Sequence, residues 1–151
     1  MDVRALAVPS VDDVGQLADL FDRYRVHYGE PSDTTGTATW LSRQLGGGRM
    51  AAFIAEDAGA LIGFATTVEL PASQRLGTFW QIRDLFVLPS HRRLGVARAL
   101  LDAVRTAAID AGAVRLSVQT ELDNTAALRL YEQAGFTAVE GYVLLALPAG
   151  R

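Results

Sequence analysis

Residues 84–101, DLFVLPSHRRLGVARALL, hold the clearest chemistry in this sequence. They indicate a strand that leads through a short loop into a helix, whose first turn contains Arg92, Arg93, Leu94, Gly95, Val96 and Ala97. The first amides of a helix lack an intrahelical acceptor, and the helix dipole gives them partial positive charge. Small residues let a ligand approach the backbone, and arginine adds charge. We therefore predict an anion site suited to a phosphate or pyrophosphate, the alternative being an ordinary helix start with solvated arginines.

Two common phosphate-binding motifs do not fit this segment. A Walker loop ends in Gly-Lys-Ser/Thr, and this chain has no lysine, because all 14 of its cationic side chains are arginine. A dinucleotide fingerprint needs three glycines, and the segment has only Gly95. An enzyme that binds a nucleotide phosphate at this helix start is therefore disfavoured.

Helical and strand periodicities predict the elements that position this segment. Ser10 and Asp13 form a capping-box pattern at the start of a first helix, and Gly112 has the place of a helix C-terminal glycine. The order is β-αα-βββ-α-β-α-ββ, with strands at residues 3–8, 50–56, 61–70, 78–88, 115–119 and 137–147 and helices at 10–28, 34–45, 94–111 and 124–134. Residues 57–60 form a tight turn, and residues 78–119 a parallel crossover. These elements predict an α+β fold with a mixed sheet.

Composition excludes several classes of protein. A chain of 151 residues that is 50% hydrophobic predicts one domain, residues 1–151, with a substantial core. The absence of cysteine excludes disulfides, thiolate metal sites and a cysteine nucleophile, and the absence of lysine excludes a Schiff base. A net charge of −3 argues against a nucleic-acid partner. No apolar run reaches the ~18 residues of a membrane span, so we expect a cytoplasmic protein without membrane association.

A second block of residues gives the segment a context. Asn124, Ala127, Leu130-Tyr131-Glu132 and Gly135-Phe136 follow the R-x-x-G-x-A pattern of Arg92, Gly95 and Ala97 after one helix and one strand. Both blocks, in this order, resemble the acyl-CoA motifs of the GNAT N-acetyltransferase superfamily, and the element order is similar along nearly the whole chain. The resemblance implies the GNAT fold: a central, mostly antiparallel sheet, splayed at the cofactor site and flanked by helices.

The same resemblance implies acetyl-CoA as the acyl donor. In GNAT proteins the strand before the first motif separates from its parallel neighbour at a bulge, and the pantetheine arm pairs with that strand. This implicates the main chain of Leu85, Phe86 and Val87, and it places the pyrophosphate on the amides of residues 93–97. Asn124 matches an asparagine that contacts the CoA arm; an ordinary helix N-cap is the alternative.

Tyr131 matches the tyrosine that protonates the departing thiolate in this family, the alternative being a core tyrosine. Identification of the base is harder, because Arg83 stands where diamine acetyltransferases have glutamate. Asp84 is the nearest carboxylate, although it could instead bond the backbone at the bulge. Glu69 and Glu121 are further candidates, and water can also serve.

The first helix and the loop after it lie where the GNAT fold builds its acceptor site. Tyr24 and Tyr28, on successive turns, are candidates to line that site, the alternative being packing on the sheet; Glu69 is the third candidate substrate-binding residue. His27 and His91 are distant in sequence, so no metal site is expected.

The leading hypothesis is an acetyl-CoA-dependent N-acetyltransferase that acts on a primary amine of a small molecule, peptide or protein by direct attack in a ternary complex. The resemblance extends to a histone-acetyltransferase-like or small-amine subgroup. A non-catalytic acyl-CoA-binding sensor or interaction module on the same fold is the alternative. The apolar run at residues 142–147 is compatible with a homodimer and equally with a buried strand.

Overall fold

The computed structural model describes residues 1–7 and 9–150. In this part of the chain the elements, in order, are β1 (Asp2–Ala5), α1 (Val11–His27), α2 (Thr34–Gly46), β2 (Ala51–Asp57), β3 (Ala60–Ala72), β4 (Gly77–Val87), α3 (Val96–Asp110), β5 (Leu116–Val118) and α4 (Thr125–Gln133). Short 3-10 turns at Ser73–Arg75 and Pro89–His91 flank β4. The chain divides into two compact units, Met1–Gln119 and Thr120–Arg151, which we describe separately.

The first unit contains a mixed sheet with the strand order β1-β2-β3-β4-β5. Neighbouring strands are antiparallel from β1 to β4, and β4 and β5 are parallel. The predicted mixed, mostly antiparallel sheet is therefore confirmed. The turn between β2 and β3 consists of Ala58 and Gly59, both with positive φ, as a two-residue hairpin requires.

Local signals set most helix ends. The third helix is an exception to the prediction: α3 begins at Val96 rather than at Leu94, because Arg93 and Gly95 have positive φ, so residues 92–95 precede the helix instead of forming its first turn. Ser10 and Asp13 form a reciprocal capping box at the start of α1. Asp33 caps α2 through the amide of Gly36, and Gly112 follows α3 with φ +74°. The first strand is shorter than predicted because it ends at Ala5, and Val8 of the predicted range lies outside the described residues.

Helices cover both faces of the sheet. Leu17, Phe21 and Leu41 of α1 and α2 are buried in one cluster with Ile54 and Phe64. The amphipathic α3 packs against β1–β4 on the opposite face. There the approach is close at Gly63, where a Cβ atom would lie 3.0 Å from the carbonyl oxygen of Phe86 and 3.3 Å from the Leu100 side chain. This packing fixes β4, which carries the candidate site, from both sides.

The second unit contains α4 and the residues that follow it. Gly135, with φ +97°, ends the helical segment, as predicted. The strands predicted at residues 137–147 are wrong, because no strand is present among residues 137–150 and their apolar side chains, such as Tyr142 and Leu145, are exposed. An apolar run forms a strand only if a neighbouring strand pairs with its backbone groups. The pattern of apolar residues does not show whether such a neighbour exists.

Candidate active site

The strands β4 and β5 pair along only part of their length. Trp80, Gln81 and Ile82 pair with β5, whereas β4 continues to Val87. On the other side of β4, Ile82 is opposite Thr67 and Asp84 is opposite Thr66, so Arg83 is the extra residue of a β-bulge. The predicted bulge and the separation of the two parallel strands are thus both present.

Beyond the bulge, β4 has an unpaired edge on the side of β5. The amide of Leu88 donates to the carbonyl of Ile62 at 2.8 Å, so Leu88 faces β3. Backbone groups alternate between neighbours in an antiparallel ladder, which directs those of Leu85 and Val87 away from β3. These groups can pair with an extended ligand as another strand would.

The loop of residues 92–97, the anion loop, follows this edge. Arg93 and Gly95 have positive φ values of +62° and +82°, which turn the backbone tightly before α3 begins at Val96. The first α-helical bond of α3 runs from the amide of Ala99 to the carbonyl of Gly95, so the amides of Val96 and Ala97 precede the helical ladder.

The start of α3 differs from the starts of the other described helices. Side chains cap α1, α2 and α4, whereas α3 has neither a side-chain cap nor an acidic residue in its first turn. Its amides are therefore available to an external anion, and a pyrophosphate fits the charge and geometry of this helix start.

Arg92 attaches the anion loop to the end of β4. Its Nε donates to the carbonyl of Val87 at 3.1 Å, and its guanidinium carbon lies 5.7 Å from the centre of the Phe86 ring. The terminal nitrogens retain donors that can contact a phosphate. The side chains of Arg93 and Leu94 are exposed, so their predicted contribution is through the backbone.

Asp84, the first residue after the bulge, connects three elements. Its Oδ1 accepts a hydrogen bond of 2.8 Å from the hydroxyl of Tyr24 on α1. Its Oδ2 accepts a hydrogen bond from the hydroxyl of Thr66 on β3, which is fully buried. The structure therefore brings together Asp84 and Tyr24, two predicted site residues, and adds Thr66, which the sequence analysis did not single out.

Aromatic rings surround Tyr24. Edge-on contacts join its ring to Phe21, Tyr28, Phe64 and Phe86, with centroid distances of 5.2–5.8 Å. Tyr28 itself is 55% exposed. Tyr24 is thus held by packing, whereas Tyr28 presents its ring to solvent at the same end of α1.

A buried carboxylate, Asp22, organises the loop between α1 and α2. It accepts hydrogen bonds from the Ser32 hydroxyl (2.6 Å), the Asp33 amide (2.8 Å), Arg25 (2.9 Å) and Thr37 (3.3 Å). These donors, above all Ser32, lower the pKa of Asp22 although burial opposes the shift. This network was not predicted from the sequence. The feature that could have indicated it is a carboxylate on the apolar stripe of α1, one helical turn after Ala18.

Glu69, another candidate base, does not lie beside Asp84. Glu69 pairs with Trp80 and, by alternation from Thr66, lies on the opposite face of the sheet. Glu121 belongs to the second unit. Within residues 1–7 and 9–150, no three side chains of metal-ligating type come together.

The second unit holds Asn124 and Tyr131. The Oδ1 atom of Asn124 accepts the amide of Ala127 at 3.2 Å, so Asn124 is the N-cap of α4, and contact with CoA stays a prediction. Tyr131 is 9% exposed, and its ring lies 5.7 Å from that of Phe136. It is therefore a packed tyrosine, and its role as an acid also stays a prediction.

A groove of about 420 Å³ lies elsewhere, between α1 and α2. Its described lining residues are Pro9, Ser10, Val11, Val14, Gly15, Ala38, Thr39, Ser42 and Gly46, none of which is an acid or base in the physiological range. It is open and apolar, and it offers no group for catalysis.

Comparison with known proteins decides the family. Residues 16–136 match the acetyltransferase (GNAT) family. The chain belongs to the GNAT acetyltransferase family. The uncharacterized N-acetyltransferase YhfO of Bacillus subtilis is 35% identical over 131 residues, which cover 87% of this chain and 88% of YhfO. None of the helices in the described part of this GNAT chain has the length and apolarity that crossing a bilayer needs.

Solved structures agree with this assignment. The crystal structure of a probable acetyltransferase has a TM-score of 0.91 and 27% identity, covering 100% of this chain and 99% of that one. A predicted acetyltransferase from Clostridium acetobutylicum, solved with acetyl-CoA, has the same fold, with a TM-score of 0.75 at 17% identity and coverages of 96% and 95%. The unpaired edge of β4 and the uncapped N-terminus of α3 therefore occur in a chain that has the fold of acetyltransferases.

Proposed function

We propose that this protein is an acetyl-CoA-dependent N-acetyltransferase that acetylates a primary amine of a small molecule, peptide or protein. One juxtaposition carries the proposal: an uncapped helix start at Val96 follows the unpaired edge at Leu85 and Val87. The first feature suits a pyrophosphate and the second an extended amide-containing arm. The acetyl-CoA complex of the Clostridium acetobutylicum protein with this fold supports the choice of donor.

Acetyl-CoA, when bound, supplies a thioester carbonyl carbon that an amine nitrogen attacks, forming the N–C bond as the C–S bond breaks. Val96 and Ala97 offer amides to the pyrophosphate, and Leu85 and Val87 pair with the arm. Tyr131 gives a proton to the leaving sulfur. Because the chain has no cysteine, no cysteinyl acyl-enzyme is available, which favours direct attack in a ternary complex.

The acceptor is proposed to lie beside Tyr24, Tyr28 and Asp84. A carboxylate that is hydrogen-bonded to a tyrosine packed among aromatic rings suits an amine, which arrives as a cation and must lose a proton before it attacks. Glu69 is less suited to this role, because its side chain lies on the opposite face of the sheet.

We also propose that both units form one GNAT domain, since the family match at residues 16–136 crosses their boundary at residue 119. A homodimer formed through the exposed apolar residues 142–147 is proposed as well, to be checked by light scattering. A cytoplasmic location and the lack of a nucleic-acid partner stay predictions from the sequence.

The function is tested with dialysed protein and acetyl-CoA. Calorimetry measures donor binding, and a thiol-release assay measures turnover with aliphatic amines, aromatic amines and peptides with free N-termini. We expect binding without an acceptor and release of CoA thiol with at least one amine. Binding without turnover across the panel would favour the non-catalytic acyl-CoA sensor, and failure to bind any acyl-CoA would refute both functions.

A further inference from the structure

Both oxygens of the Asp84 carboxylate already accept hydrogen bonds from side chains. Oδ1 faces the Tyr24 hydroxyl at 2.8 Å, and Oδ2 faces the Thr66 hydroxyl. A direct general base needs a carboxylate oxygen within reach of the amine proton. At Oδ1, the group within hydrogen-bond distance is the phenol of Tyr24.

The phenol can pass a proton on because of its chemistry. A tyrosine hydroxyl donates one hydrogen bond while its oxygen keeps the capacity to accept another. The direction of donation is set here, since an ionised Asp84 can only accept. The hydroxyl proton of Tyr24 therefore points at Oδ1 of Asp84.

Position in the sheet connects this pair to the proposed acyl-donor site. Asp84 directly follows the bulge at Arg83 and directly precedes Leu85, where the unpaired edge begins. Packing of Tyr24 against Phe64 and Phe86 restricts its ring, so the hydroxyl has a defined place relative to this edge.

We infer that Tyr24 and Asp84 form a two-step proton relay for the acceptor amine, an inference that rests on the proposed function. The ammonium nitrogen gives a proton to the Tyr24 oxygen as the Tyr24 hydroxyl proton moves to Oδ1 of Asp84. The amine becomes neutral, the phenol is regenerated and Asp84 becomes a carboxylic acid, so that charge and protons balance. Tyr24 is then the residue that touches the amine, and Asp84 is a positioning residue and the final proton acceptor.

Other titratable or charged groups of the first unit lie near the relay. His27 and Tyr28 lie on α1, where their rings contact the cluster around Phe86 and Tyr24. Arg83 is exposed and donates to Gln81, and Arg92 lies over Phe86. Each of these residues is retained in the variants described next, so a change in pH dependence reports on Tyr24 and Asp84.

The variants Tyr24→Phe, Asp84→Asn and the double variant test the relay with the best aliphatic amine of the panel. Asp19→Asn is a matched control for Asp84→Asn, since it makes the same change at an exposed position. We expect Tyr24→Phe to lower kcat/KM about 100-fold near neutral pH, within the range for general acid–base catalysis. The deficit should shrink as the pH approaches ~10, where an aliphatic amine is largely neutral without help.

Two further readouts separate a relay from a structural role. The double variant should be no slower than the slower single variant, because the two groups act as one unit. Aromatic amines, which are neutral at neutral pH, should be acetylated by Tyr24→Phe at close to the wild-type rate. Acetyl-CoA affinity of Tyr24→Phe should match that of the wild-type protein, since the ring that packs is retained. Its urea midpoint should fall modestly, because Asp84 loses one hydrogen-bond donor.

The outcomes distinguish the two proposals. If the wild-type protein acetylates the amine and Tyr24→Phe does so at the same rate, the relay is overturned and the proposed function stands. The same holds if kcat/KM of Tyr24→Phe is lowered by an equal factor at every pH and with aromatic amines. Additive losses in the double variant would also contradict it. A wild-type protein that binds acetyl-CoA but acetylates no amine would overturn both the relay and the proposed function.

Discussion

The hydroxyl of Tyr24 lies 2.8 Å from Oδ1 of Asp84, although 60 positions separate the two residues in sequence. The bond joins α1 to the first residue beyond the bulge of β4. Thr66, on the neighbouring strand, holds the other oxygen of the same carboxylate. Side chains of α1 and β3 thus hold one carboxylate of β4 in place, and each of these two contacts can be removed by a nearly isosteric substitution.

Thr66→Val removes the buried hydroxyl that donates to Asp84 Oδ2 and keeps the side-chain shape. We expect a loss of about 1 kcal/mol in the free energy of unfolding, because Asp84 loses one partner. Turnover should fall less than in Tyr24→Phe, since Oδ1 keeps its donor. Urea unfolding and the thiol-release assay measure the two effects. Thr66→Ser, which restores the donor, should recover turnover, and equal turnover in the Val and Ser variants would contradict this role.

Gly95→Ala tests the anion loop against a control at the other end of α3. Gly95 and Gly112 have φ values of +82° and +74°, and a Cβ at either position meets no atom within 4 Å. Alanine should therefore cost each variant a similar ~1 kcal/mol of backbone strain. Only Gly95→Ala should also weaken acetyl-CoA binding in calorimetry, because it disturbs the amides that precede the helix. Equal affinities in the two variants would argue against the anion loop as the pyrophosphate site.

Asp22→Asn should destabilise the fold in a pH-dependent way. The pKa of Asp22 in the folded protein lies below its ordinary value of 3.8. Its carboxylate therefore stabilises the fold fully above that value, and the contribution disappears as the pH falls through the folded-state pKa. The difference in unfolding free energy between wild type and Asp22→Asn should be largest near neutral pH and narrow in acid. Urea titrations of the two proteins at several pH values measure this difference, and a difference that stays constant with pH would contradict the prediction.

Tyr131→Phe should lower kcat about 100-fold if Tyr131 protonates the leaving sulfur. The phenyl ring keeps the contact with Phe136, so acetyl-CoA affinity should change little. Stopped-flow or steady-state thiol release, together with calorimetry, gives both numbers. Unchanged turnover with a good acceptor would remove Tyr131 from the mechanism.

Features that depend on neighbouring residues were predictable from the sequence. The capping box of Ser10 and Asp13, the glycine after α3 and the two-residue hairpin turn each depend on a few adjacent residues. Their chemistry is local, so the pattern of residue types specifies them. The start of α3 was predicted two residues too early, because the positive φ of Arg93 and Gly95 is not evident from residue types alone.

Features that depend on strand register were not predictable from residue types alone. The Asp84–Thr66 bond exists because Arg83 bulges out of the ladder, which brings Asp84 rather than Arg83 opposite Thr66. A register shift of one residue would direct the carboxylate to the other face. The bulge itself was expected only through the resemblance to GNAT proteins. The same limit explains why Glu69 was a candidate base although its side chain lies on the opposite face.

The predicted strands at residues 137–147 failed for a related reason. Alternating and continuous apolar residues show which side chains favour burial, but a strand exists only when a neighbour supplies hydrogen bonds. The described residues 137–150 have no such neighbour, and their apolar side chains are exposed.

The unpaired edge of β4 also has a consequence for the protein without its donor. A row of free amides and carbonyls is a template on which a strand of another chain can assemble. Three features oppose such assembly here: the edge is short, the Arg83 bulge lies just before it, and Arg92 donates to the carbonyl of Val87. We therefore expect the residues that shape the proposed acyl-donor site also to oppose association through this sheet edge when no donor is bound.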